Sequence, residues 1–165
     1  MSKNTLQDKR AAARQPPAGR PVKLPRVIYL NNQHPRTRLP KGPLIGLASR
    51  VLEGEGRSGE LSITLVNDET MTRLNSLYHQ CEGSTDVLSF PLQEGAGDLW
   101  GDIYISLDTA RRQAREVGGS FTGEVRLLVV HGILHLCGYD DQEESSRNAM
   151  RTRETVYLEC SSPSS

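Results

Sequence analysis

The sequence predicts an α/β (α+β) fold, a small mixed four-stranded sheet packed with about five helices. Three observations carry this. Short apolar runs with strand patterning alternate with amphipathic helical segments between residues 27 and 119. From residue 120 onward only helical patterning remains, and strands alternating with helices followed by helices alone fit a layered α/β arrangement. A folded part of roughly 140 residues buries about two thirds of its unfolded surface, enough for one core.

The elements follow in order. VIYLNN, residues 27–32, is a short apolar strand candidate. After the proline-rich turn QHPRTRLPKGP comes LIGLASRVLEGEG, where Leu44, Leu47, Ala48, Val51 and Leu52 fall on one side of a helix. ELSITLVN, residues 60–67, alternates and reads as a strand. Asp68 is expected to cap the helix DETMTRLNSLYHQ, whose apolar face is Met71, Leu74, Leu77 and Tyr78. CEGST is a loop. DVLSFPL, residues 86–92, is a strand expected to stop at Pro91, since proline cannot donate to a ladder. QEGAGDLW is a glycine-rich connection to the strand GDIYIS, residues 101–106. LDTARRQAREVGG is an amphipathic helix ended by paired glycines. Ser120 or Thr122 can cap the helix EVRLLVVHGILHLCG. The charged segment 142–160 forms the last helix, with Met150, Val156, Tyr157 and Leu158 free to pack.

Residues 1–25, rich in Ala, Arg, Pro and Gln, read as a disordered basic arm, 26–160 as a single domain, and 161–165 as a disordered tail. The net charge of zero hides an asymmetry: residues 1–42 sum to +9 and residues 43–165 to −9. The arm could meet an anionic partner such as RNA by releasing counterions, or serve only to solubilise the chain. No run of 18 apolar residues is present, so no membrane span is expected. The N-terminus has no apolar segment of the kind a secretory signal needs. Cys81, Cys137 and Cys160 are odd in number and show no CxxC, which suggests a reduced, cytoplasmic setting.

The chemistry concentrates in HGILHLCGYDD, residues 131–141. Residues four apart on a helix share a face, so His131 and His135 can present two imidazoles to one ion. Gly138 can end the helix in the left-handed region, after which the chain turns back and Asp141 can reach the same ion. This is the layout of the metzincin signature. The plain alternative is a pair of core histidines bonded to backbone carbonyls, because the surrounding helix is apolar nearly all round. The added glycine and carboxylate favour a metal. Two histidines and a carboxylate leave a fourth position open, as in catalytic zinc sites. Gly132 stands where a zinc peptidase carries its glutamate base, which disfavours peptide hydrolysis and leaves a phosphodiester as a plausible substrate.

HGILHLCGYDD closely resembles the motif HGxLHLxGYDH of the YbeY family of bacterial rRNA-maturation endoribonucleases. RLNSLY and STDVLSFP, residues 73–78 and 84–91, are similar to the family's LNxxYRxxxxPTDVLSFP, and GDIYIS to its GDIxI strand. The resemblance implies a compact α/β fold with a metzincin-like metal site holding one zinc ion, or another divalent transition metal. It implies a single-strand-specific, metal-dependent endoribonuclease acting in 16S rRNA 3′-end maturation and small-subunit quality control. The implied partners are single-stranded RNA, 16S rRNA, and the 30S ribosomal subunit with its associated proteins, in the cytoplasm.

The implied metal ligands are His131, His135 and Asp141, and the implied catalytic residues are His79, His131 and His135. Two positions depart from the family pattern. Asp141 stands where the family has its third histidine; a carboxylate makes the ion a weaker Lewis acid and suits a somewhat harder metal. Asp140 is adjacent and stays open as the alternative ligand, with position favouring Asp141. His79 stands where the family has an arginine. It cannot grip a phosphate bidentately, but it can exchange a proton near neutral pH; the plain alternative is a surface histidine at a helix end.

The remaining candidates have bland readings beside functional ones. Ser89 could contact substrate or be structural. Thr85 and Asp86 are expected to shape a turn. Asp102 could hold a neighbouring loop or orient a ligand histidine, and Cys137 is expected to pack in the core. Arg111, Arg112 and Arg115 could form an RNA patch or a solvated face. A ribosome-assembly binding factor with a structural metal is the alternative function. An iron oxygenase built on two histidines and a carboxylate ranks last.

Overall fold

The computed structural model describes residues 25–79, 85–94 and 98–159, without the side chains at 79, 93 and 94. Four strands and five helices follow in order: β1 (Arg26–Asn32), α1 (Lys41–Gly54), β2 (Ser58–Val66), α2 (Asp68–His79), β3 (Val87–Glu94), β4 (Asp98–Ser106), α3 (Leu107–Val117), α4 (Phe121–Leu136) and α5 (Glu144–Glu159). The strands form one mixed sheet in the order β1-β2-β4-β3. β1, β2 and β4 run parallel, with Ile28 opposite Leu61 and Ile63 opposite Ile103. β3 is the antiparallel edge, pairing Ser89 with Ile103. This is the expected mixed α/β sheet. The expected arm at 1–25 (apart from residue 25) and the tail at 161–165 lie outside the described residues, as do Cys81 and Cys160.

Two elements differ from expectation for identifiable reasons. β3 does not stop at Pro91 but continues to Glu94. As an edge strand it has one side free of ladder bonds, and a register shift between Pro91 and Gln93 absorbs the missing donor. β4 begins at Asp98 rather than at residue 101, because its N-terminal part pairs with β2 from Ser58 onward. The α2 cap is Asn67, whose Oδ1 accepts from Thr70 N at 2.9 Å. Asp68 instead ties α2 to α3. Its carboxylate accepts from the Ser106 and Thr109 hydroxyls at 2.7 and 2.8 Å, while Asp68 N donates to Asp108 at 2.9 Å. Ser120 caps α4, accepting from Gly123 N at 2.9 Å.

The sheet divides the interior. Ile103 and Ile105 of β4 point into the main core with Leu47, Val51, Leu61, Ile63, Val129 and Ile133. Tyr104 points the other way, into a small cluster of Val66, Met71, Leu88, Leu74 and Phe90 beneath α2. Helix α4 is the central helix of the main layer, packed on β3, β4, α1, α3 and α5. That placement explains why it is apolar nearly all round, and it puts the two histidines near the open edge of the sheet. Among the described residues no helix is long and apolar enough to cross a membrane.

Candidate metal centre

His131 and His135 sit one turn apart on α4, with ring centroids 4.6 Å apart and Nε2 atoms 3.0 Å apart. After Leu136 the helix unwinds. Gly138 takes φ 101°, in the left-handed region that glycine adopts without strain. Tyr139 N then donates to Leu134 O at 3.0 Å, a closure typical of a glycine-terminated helix. The turn returns Asp141 to the histidines, its Oδ2 lying 3.8 Å from His131 Nε2 and 3.6 Å from His135 Nε2. Asp140 does not join them; its Oδ1 accepts from Gln142 N at 3.0 Å within the turn.

The donor atoms suit a cation. A tetrahedral ion with bonds of roughly 2.0–2.2 Å needs donors about 3.3–3.6 Å apart, and the three separations fall close to this range. The second nitrogen of His131 is also committed. Nδ1 lies 2.6 Å from Glu154 Oε1 of α5. An ionised carboxylate only accepts, so Nδ1 carries the proton and the Nε2 lone pair faces His135 and Asp141. Burial pulls the His131 pKa down, but the Glu154 hydrogen bond and the charges of Glu154, Asp141 and Asp86 outweigh it, and the net shift is upward. The pocket is thus electronegative. Among the described residues neither Asp141 nor the buried Glu154 pairs with a lysine or arginine. Two imidazoles and a carboxylate, with a second carboxylate behind them, fit a divalent transition metal such as zinc.

A cleft of about 720 Å³ opens over this group along β3, lined by Asn75, Thr85, Asp86, Val87, Leu88, Ser89, Pro91, His131, His135, Leu136 and Asp141. Ser89 is bound to the scaffold, its hydroxyl donating to Gly132 O at 3.1 Å and fastening β3 to α4. Asp86 shapes its turn as expected, accepting from Val87 N at 2.8 Å and from Gln113 at 3.2 Å. At Gly132 a Cβ would lie 3.0 Å from Ile103 Cγ2 and 3.2 Å from Val87 Cγ2. The position where a zinc peptidase carries its base faces the packed sheet, not the cleft.

Other expected residues go elsewhere. Asp102 does not orient a histidine: it alternates with Ile103 onto the α2 side of the sheet, next to Tyr104, whose hydroxyl pKa is raised by burial and by the Asp102 charge. Glu154 fills that role. It is visible in the sequence only as an acid on the buried stripe Met150, Glu154, Tyr157 of an otherwise polar helix. Cys137 packs against the core, and burial pushes its thiol up to about 11. Arg111 stacks over the Phe121 ring at 4.3 Å and Arg112 pairs with Asp68 at 2.6 Å, so both have structural partners. His79 closes α2; its side chain lies outside the described residues.

A family model described as Endoribonuclease YbeY matches residues 31–161. The chain is 37% identical over 147 residues to an endoribonuclease YbeY of Salinibacter ruber, covering 84% of this chain and 94% of that one. It is 48% identical over 111 residues to one of Carboxydothermus hydrogenoformans, covering 67% and 78%. Among solved structures it is similar to TM1509 from Thermotoga maritima, with TM-score 0.58, 26% identity, and coverage of 82% of this chain and 89% of that one.

Proposed function

The chain belongs to the YbeY endoribonuclease family, and from that premise we propose that it is a metal-dependent, single-strand-specific endoribonuclease of 16S rRNA 3′-end maturation and small-subunit quality control, working on the 30S subunit in the cytoplasm. The observation that carries the reading is the convergence of His131 Nε2, His135 Nε2 and Asp141 Oδ2 on one point of an open cleft. Those three atoms would hold a single zinc ion, or a harder divalent metal in its place. When bound, such an ion polarises a phosphoryl oxygen and makes water acidic enough to give hydroxide near neutral pH.

The chain's own residues do the rest. Glu154 keeps His131 in the tautomer that directs Nε2 into the cleft. The Ser89 hydroxyl donates to Gly132 O and ties β3 to α4, which joins the cleft wall to the histidine helix. Because Gly132 carries no side chain and its position faces the packed sheet, proton transfer falls to another residue. His79 is assigned that part. Asn75 lines the cleft, and His79 lies one helical turn further along α2.

The test joins metal and activity. Purified protein is expected to carry about one equivalent of metal and to cut single-stranded RNA in a chelator-sensitive way. His135→Ala is expected to lose both properties. His79→Ala should keep its metal but flatten the pH–rate profile near neutrality. Stoichiometric metal with no chelator-sensitive cleavage would instead favour a ribosome-assembly binding factor with a structural ion.

A further inference from the structure

A second, smaller pocket of about 140 Å³ adjoins the histidine cluster on its α5 side, lined by His131, Asp141, Arg147, Met150, Arg151 and Glu154. Arg147 and Arg151 are four residues apart on α5, so both guanidinium stems leave the same face of the helix. Both side chains are exposed, and among the described residues neither guanidinium has a hydrogen-bonding or ionic partner. Three other described arginines are engaged: Arg26 with a backbone carbonyl, Arg112 with Asp68, Arg153 with Glu55. The free pair also has no acid partner despite lying beside Asp141 and Glu154.

The electrostatics of the cleft make this pair consequential. Its titratable lining away from the helix is Asp86 and Asp141, with Glu154 behind His131. A polyanionic strand entering such a cleft meets repulsion except where His131, His135 and Asp141 would hold a cation. A guanidinium fork matches the oxygens of a phosphate and keeps its charge at any working pH. We propose that Arg147 and Arg151 form a phosphate-binding rim that holds a backbone phosphate of the RNA, on the α5 side of the metal group, next to the phosphate undergoing cleavage. The proposal rests on the endoribonuclease reading for the identity of its ligand. It adds the residues that hold the strand.

The experiment uses the full chain and a short unstructured RNA oligonucleotide. Binding is measured by fluorescence anisotropy across a salt series, and cleavage by initial rates. Arg147→Ala/Arg151→Ala is expected to weaken binding about tenfold and to lower the slope of log affinity against log salt by about 0.7, the value for one lost phosphate contact. KM should rise with kcat little changed. Arg147→Lys/Arg151→Lys should restore the slope but only part of the affinity, since lysine keeps the charge without the fork. Metal content should match wild type in both variants, which shows that the fold and the ion site are intact. An unchanged slope and affinity in the double alanine variant overturns the rim. If wild type binds RNA through these arginines yet never cuts it, the rim stands and the nuclease reading falls.

Discussion

At Gly132 the absence of a side chain goes with close packing against the sheet. A Cβ there would press on Ile103 and Val87, both part of the seam between α4 and the sheet. The position beside the candidate histidine pair therefore packs against the sheet and sends no side chain into the cleft. His131, His135 and Asp141 were legible because helical periodicity and a glycine stop are written in one short segment. Glu154 was not, because its partner lies 23 positions earlier and nothing local couples them. The resulting prediction concerns Glu154. Replacing it by Ala removes the acceptor that fixes the His131 tautomer, and outer ligand partners of this kind are worth roughly 10- to 100-fold in metal affinity. Glu154→Ala should weaken zinc binding within that range, while Glu154→Gln, which retains an acceptor, should lose less. Zinc competition against a chromophoric chelator measures both, and equal affinity for wild type and Glu154→Ala would remove the orienting role.

Among the elements, α1, α5 and the turn after α4 meet at a single carboxylate. Glu55, at the C-terminal end of α1, accepts from Tyr139 at 3.0 Å, from Arg153 Nη2 at 2.7 Å and from Tyr157 at 2.7 Å. Tyr139 belongs to the turn that carries Asp141, and Arg153 precedes Glu154. No periodicity announces such a junction, since Tyr139, Arg153 and Tyr157 lie 84 to 102 positions from Glu55. The β3 edge was misjudged for a related reason: whether a proline ends a strand depends on which side is paired, and pairing is a property of the whole sheet. Burial raises the Glu55 pKa, but the hydrogen bonds from Tyr157, Arg153 and Tyr139 outweigh it, leaving it below the usual glutamate value. A carboxylate with a depressed folded pKa stabilises the fold above its unfolded pKa and loses that contribution as pH falls through the folded one. Glu55→Gln should therefore be less stable than wild type near neutral pH, and the gap should close below about pH 4. Urea unfolding of metal-free protein at pH 7, 5 and 3.5 reads it; a gap that persists unchanged at the lowest pH would show that Glu55 acts by shape alone.

For the whole molecule, the alternation of strands and helices was enough to read the mixed sheet, because each element carries its own period and its own stop. Charge distribution is the other property that exists only at this scale. Residues 43–165 sum to −9, and this stretch contains all three atoms of the metal group and most of the cleft. An acidic body of that kind binds a polyanion weakly unless cations are supplied locally or from outside it. Arg147 and Arg151 are the local supply. The outside supply is the basic N-terminal stretch, where Lys3, Lys9, Arg10, Arg14, Arg20 and Lys23 are opposed only by Asp8. If that stretch engages RNA, each of its phosphate contacts releases counterions and steepens the salt dependence by about 0.7. Removing residues 2–24 should then weaken RNA binding most at low salt, reduce the slope by at least about 1, and leave metal content and kcat at saturating RNA unchanged. The same anisotropy salt series decides it. A slope identical to the full chain would assign the whole electrostatic contribution to the α5 rim and the metal group.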